Sequence, residues 1–186
     1  MAETTPNWFI AFPVNTAPCF AHIPSPPAKV RAFEDIDRHM TLAFLGAVTE
    51  SQAHKAFALA SVWPVRRGHI TLGPVRPMGN PQRFTALSAL VIDDTPELRN
   101  IMFDLRARML EAAKRPAETR PVLPHVTLAR LHRRATREQR AEALRWADGL
   151  DLGQPVLPLS RIALYTWHPT RESQLFRIAD ESSIRG

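Results

Sequence analysis

Cys19 is the only cysteine among 186 residues, which excludes an internal disulfide framework and any cysteine-based zinc cluster. The reducing cytoplasm is the expected compartment. No apolar run approaches the roughly 20 residues of a membrane helix, and each is broken by proline or charge. The opening MAETTPN is polar and acidic where a signal peptide is basic and then apolar, so no membrane or export role is expected. Lysine is scarce as well, with 3 Lys against 21 Arg. What remains is 45% hydrophobic and 23% charged, a composition that can bury a core and fits neither collagen nor a disordered chain. The length suits one domain or two small lobes.

The formal net charge is +6, carried almost wholly by arginine, whose planar fork suits phosphate. A polyanionic partner is one reading. A GC-rich coding sequence, which favours Arg over Lys together with Pro and Ala, is the other.

Periodicity and punctuation order the chain. WFIAFP at 8–13 reads as a strand, the proline-laden 14–29 as a loop, 30–33 as a short strand and 39–46 as a half-buried strand. Thr49 with Gln52 forms a capping box that opens a helix over 50–63, stopped by Pro64. Strands are expected at 69–76 and 84–92. Thr95 and Pro96 then open a helix ending near Pro116. A strand follows at 124–131, and a second capping box, Thr136 with Gln139, starts a helix that stops at Gly149. Strands at 159–167 and 173–179 close the chain, joined by the turn HPTRE. Hairpin-linked amphipathic strands with interspersed helices indicate an α+β fold with antiparallel sheets.

An internal repeat carries the functional signal. HMTLAFLGAVTESQAHKA from His39 and HVTLARLHRRATREQRAEA from His125 share H-x-T-L-A-x-L, and both continue into T-x-x-Q-x-x-x-A. The match covers strand, connection and capped helix start, so the units 39–63 and 125–149 read as a duplication with an approximate twofold. In a strand, residues i and i+2 share a face. His39 therefore projects with Thr41, and His125 with Thr127, while Met40, Leu42 and Phe44, or Val126 and Leu128, are expected on the core side. Two imidazoles allow one base and one acid of the same type near neutrality. Displacement at phosphorus needs that pair, with hydroxyl donors for the non-bridging oxygens. A cyclic phosphodiester is a favourable substrate because ring strain lowers its barrier.

The paired H-x-T-L motifs resemble those of the 2H phosphoesterase superfamily, and within it the bacterial RNA 2′,3′-cyclic phosphodiesterase family, long called 2′-5′ RNA ligase. WFIAFP resembles that family's first strand, HMTLAFLG and PHVTLAR its two signatures, and LSRIALYTW its late strand with tyrosine, so the likeness spans nearly the whole chain. It implies a single bilobal domain over 1–186 with pseudo-twofold symmetry, antiparallel sheets around a central cleft and helices on the outer faces. It further implies metal-independent opening of RNA 2′,3′-cyclic phosphate ends to 2′-phosphates, with no cofactor, and reversible 2′-5′ ligation in some members. By the same likeness His39 is the general acid and His125 the general base, although the residues alone leave the two roles interchangeable.

Other residues rank below these four. Arg130 matches a basic position of the second signature, but strict alternation from His125 puts it on the wrong face unless the strand bulges or ends after Ala129. Phe12 and Tyr165 are candidates to stack on a nucleobase at the cleft rim. His69 begins a third H-x-T-L that lacks the continuation and reads as structural. Asp35 and Asp37 precede His39 in a turn and receive no role. The loops 14–29 and 75–83 are expected to shape the entrance. The competing readings are a non-catalytic RNA-binding module, a metallohydrolase built on scattered histidines, and an enzyme acting on small cyclic nucleotides or 2′-5′ oligonucleotides.

Overall fold

Alternating strands and capped helices recur in a computed structural model that describes residues 5–14, 18–64, 68–80, 82–93 and 95–184. Positions 15–17 of the first expected entrance loop and 81 of the second lie outside the described residues. The elements run β1 (Asn7–Pro13), β2 (Val30–Ala32), β3 (His39–Ala47), α1 (Glu50–Phe57), β4 (Gly68–Met78), β5 (Ala86–Val91), α2 (Pro96–Ala112), β6 (His125–Leu131), α3 (Arg137–Asp148), β7 (Val156–Leu159), β8 (Arg161–Trp167) and β9 (Phe176–Ser183). Both capping boxes form: Thr49 accepts the Gln52 N–H, Thr136 accepts that of Gln139, and each glutamine reaches back to its cap's backbone.

Helix ends depart from the expectation for local reasons. The first helix tightens into a 3₁₀ turn at Ala58–Val62, because Pro64 forces Trp63 out of the helical region. The second stops at Ala112 rather than near Pro116. Lys114 takes φ +56° there, with Lys114 N–H on the Glu111 carbonyl and Arg115 N–H on that of Leu110, both at 2.8 Å. That pair of bonds is a Schellman closure, which ends a helix without help from proline. Strand β7 was not expected. Its Pro158 is tolerated because β7 lies at the end of the sheet and pairs only with β4.

Instead of separate sheets, one curled nine-stranded antiparallel sheet forms, in the order β7-β4-β5-β6-β3-β1-β8-β9, with β2 beside β6. The order is symmetrical about its centre, where β3 and β6 are the strands that begin the two repeat units. They meet through one registered pair, Met40 with Val126. These are the same position of the repeat, so the approximate twofold passes between them. The halves join edge to edge because the repeat's own strand supplies the joining edge.

The helices cover one face of the sheet. Trp8, Ile10, Phe12, Met40, Leu42, Val126 and Leu128 from that face pack with Ala53, Phe57, Met102, Met109, Ala143 and Ala147 from the helices. The opposite face is open and carries a smaller apolar cluster of Phe9, Ala11, Ala163 and Tyr165. No helix among the described residues is long and apolar enough to cross a membrane.

Candidate active site

The site grows from the central strand pair. With Met40 opposite Val126 in an antiparallel ladder, His39 lies opposite Thr127, and Thr41 opposite His125, all four on the face turned away from the helices. Each histidine thus faces the threonine of the other unit. The two histidines occupy a diagonal of the ladder, where residues of an antiparallel pair stand about 7–8 Å apart and their Cβ atoms somewhat closer. Thr41 and both histidines are half-buried, and Thr127 is 9% exposed.

Both imidazoles are held alike. His39 Nδ1 lies 2.6 Å from the carbonyl oxygen of Asp37, and His125 Nδ1 lies 2.6 Å from that of Leu123. A carbonyl only accepts, so each Nδ1 carries a proton and each Nε2 is the nitrogen left for substrate. The Asp37 carboxylate does different work. It accepts N–H bonds from Leu175 and Phe176 at 2.9–3.0 Å, pinning the start of β9 beneath the turn that presents His39. This buried residue, unassigned from sequence, anchors the floor of the site.

That floor is aromatic. The His39 ring packs on Phe9 at 4.6 Å, Tyr165 at 5.3 Å and Phe176 at 5.5 Å between centroids. Burial pushes the His39 pKa down to about 4; the hydrogen bond to Asp37 opposes this, and the charges of Arg130 and His125 add to it. Tyr165 is 1% exposed and stacked flat on Phe9, so it cannot receive a nucleobase at the rim; it supports His39 from below. Phe12 is 0% exposed and meets Trp63 edge-on at 4.9 Å. Alternation along β1 carries Phe12 to the helix side, and its expected stacking role is withdrawn with that of Tyr165.

Arg130 reaches the cleft through a bulge. Strand β5 pairs Ser88 with Thr127 and Leu87 with Ala129, which leaves Leu128 as the extra residue and returns Arg130 to the face of His125 and Thr127. The equivalent irregularity occurs in β3, where Ala11 pairs with Thr41 and Ile10 with Ala43, leaving out Leu42. Both bulges fall on the leucine of H-x-T-L. Phe44 is therefore the counterpart of Arg130 and faces the cleft at 59% exposure, contrary to its expected core position. Aligning the two repeats pairs these positions, and that was the available signal. Ser88 was also missed. Buried in β5, its hydroxyl lies 3.1 Å from that of Thr127, while Ala11 occupies the corresponding place beside Thr41.

His39, Thr41, Phe44 and Arg130 share a cavity of about 350 Å³. Among the described residues its rim owes nothing to the loops 14–29 and 75–83; Gln82 of the latter lines a separate hollow against α3. His69 is exposed on β4, with β5 between that strand and β6, and its Thr71 bonds Asp93 at 2.7 Å. No group of three or more His, Cys, Asp or Glu among the described residues is arranged to hold a metal ion.

No protein-family model and no curated protein sequence matches the chain. Solved structures do. E. coli LigT complexed with 3′-AMP is 20% identical, with 97% of this chain and 99% of that one covered and a TM-score of 0.67. TT0787 of Thermus thermophilus is 21% identical over 97% and 98%, TM-score 0.66. A phosphoesterase structure is 16% identical over 98% and 100%, TM-score 0.65. Over nearly its full length, the chain has the LigT-like fold of the 2H phosphoesterases.

Proposed function

We propose that this chain is a 2H phosphoesterase that opens RNA 2′,3′-cyclic phosphodiester ends to 2′-phosphates. The observation that carries the reading is the register of Met40 with Val126, which sets each histidine across from the other unit's threonine on one open face. The likeness to LigT, crystallised with 3′-AMP, supports a nucleotide ligand.

Water attacks phosphorus in line with the 3′-oxygen. One imidazole Nε2 takes the water proton, the new P–O bond forms, and the P–O3′ bond breaks as the other imidazole protonates the leaving oxygen. Thr41 and Thr127 hydroxyls donate to the non-bridging oxygens, and Arg130 balances their charge. Phe44, an exposed ring on the same face, stacks on the base. Burial favours the neutral form of His39, which suits it to accept the water proton and leaves the other imidazole, His125, to protonate the leaving oxygen. This reverses the roles that the family resemblance implies.

Turnover of 2′,3′-cyclic AMP with product identification tests the reaction. His39→Ala and His125→Ala are expected to lower kcat by about 10²–10⁴. A 2′-(4-nitrophenyl phosphate) of 3′-deoxyadenosine, whose leaving group needs no proton, separates the roles. His125→Ala should recover most of its loss on that substrate, and His39→Ala should not. Recovery by His39→Ala instead would restore the opposite assignment. RNA binding without turnover, unaffected by either substitution, would identify a non-catalytic binding module.

A further inference from the structure

Arg31, Arg130, Arg133 and Arg171 all line the cavity that holds His39. Arg31 and Arg130 are paired across β2 and β6. The Arg31 guanidinium also donates to the carbonyls of Arg171 at 3.2 Å and Glu172 at 2.5 Å, strapping the turn before β9 to the cavity wall. Arg171 stands in the left-handed region at φ +53°, its guanidinium 4.5 Å from the centre of the Trp167 ring, with a buried Nε that has no hydrogen-bond partner. Arg130, Arg133 and Arg171 make no side-chain salt bridge among the described residues. The carboxylate that acts on Arg171 is Asp37, and its oxygens already accept the Leu175 and Phe176 N–H groups. Burial, then the charges of Arg133 and Arg171, lowers the Arg130 pKa; burial, then Arg31, lowers that of Arg171.

Like charges gathered in one half-enclosed space repel, and a bound anion relieves them. A cyclic phosphodiester brings one negative charge, which Arg130 and the threonine hydroxyls meet. We propose that Arg31, Arg133 and Arg171 form a second phosphate subsite that takes the phosphate on the 5′-oxygen of the reacting nucleotide. The inference rests on the reaction proposed above for its orientation, since the reacting phosphate occupies the His39 end. Planar guanidinium forks suit phosphate oxygens, and Trp167 holds one fork in place. A neighbouring cavity of about 360 Å³ shares Arg31 and Arg130 and adds Lys29, so the basic lining continues beyond the cavity that holds His39.

Calorimetric binding of three ligands tests the subsite independently of turnover: 3′-AMP, adenosine 3′,5′-bisphosphate, and the dinucleotide ApA carrying a 3′-phosphate. The wild type should bind both 5′-phosphorylated ligands at least about tenfold more tightly than 3′-AMP at low salt, with the advantage shrinking as salt rises. Tighter binding of the bisphosphate alone assigns the subsite to a terminal 5′-phosphate. Tighter binding of both assigns it to the phosphodiester of an RNA chain. Arg133→Gln, at an exposed position, and separately Arg171→Gln, should each bring the ratio of affinities towards one. Equal affinity for all three ligands in the wild type, or a ratio unchanged in both variants, overturns the subsite. Loss of cyclic-nucleotide turnover with the 5′-phosphate preference intact would refute the reaction and leave the subsite standing.

Discussion

His39 shows how one side chain is tuned by its surroundings. An imidazole on an open strand face would titrate near 6.5. Packed on Phe9, Tyr165 and Phe176, it is held neutral down to about pH 4. Below pH 6.5 the unfolded chain therefore takes up a proton that the folded chain refuses until about pH 4, so stability falls as pH drops through that window. The contribution is on the order of 3 kcal/mol at its acid limit. Replacing His39 with Gln should remove that part of the acid sensitivity, seen as a flatter dependence of urea-unfolding free energy on pH between 4 and 6.5. An equally steep slope in the variant would assign the sensitivity to other groups. The sequence identified His39 by repetition alone; its neutral state comes from rings that lie on three other stretches of chain.

At the scale of elements, ends and irregularities decide more than middles. Thr49 and Thr136 cap helices on opposite halves, so alanine at either should cost about 1 kcal/mol, and the two costs should add because the sites share no partners. Lys114 closes α2 with φ +56° where glycine is the usual residue. Lys114→Gly should stabilise the protein by up to about 1 kcal/mol, a rise in Tm of roughly 2–4 °C. A fall would show that the lysine side chain contributes more than its backbone costs. The bulges at Leu42 and Leu128 matter most for the site. Each turns the residue two places on, Phe44 or Arg130, from the helix side to the cleft. Without them the cleft would lose the exposed ring of Phe44 and the guanidinium of Arg130.

For the whole molecule, the joint at Met40 and Val126 is the decisive contact, because it sets the distance between the two imidazoles. Both side chains are fully buried. A double-mutant cycle on Met40→Ala and Val126→Ala should give a coupling of at least about 0.5 kcal/mol, read from denaturant unfolding. Simple additivity would mean that the halves meet without depending on this pair. The H-x-T-L repeat, the capping boxes and the period-two alternation are local signals, and from them the sequence by itself determined the α+β class, most strands, the three helices and the four residues at the centre. Bulges, ring packing and the pairing of β3 with β6 depend on partners distant in the chain. Tertiary structure alone therefore buried Phe12 and Tyr165, exposed Phe44, brought Arg31, Arg133 and Arg171 to the rim, and joined two half-sites into one. A strand carries its own alternation but not its register, which is decided by the surface it is pressed against.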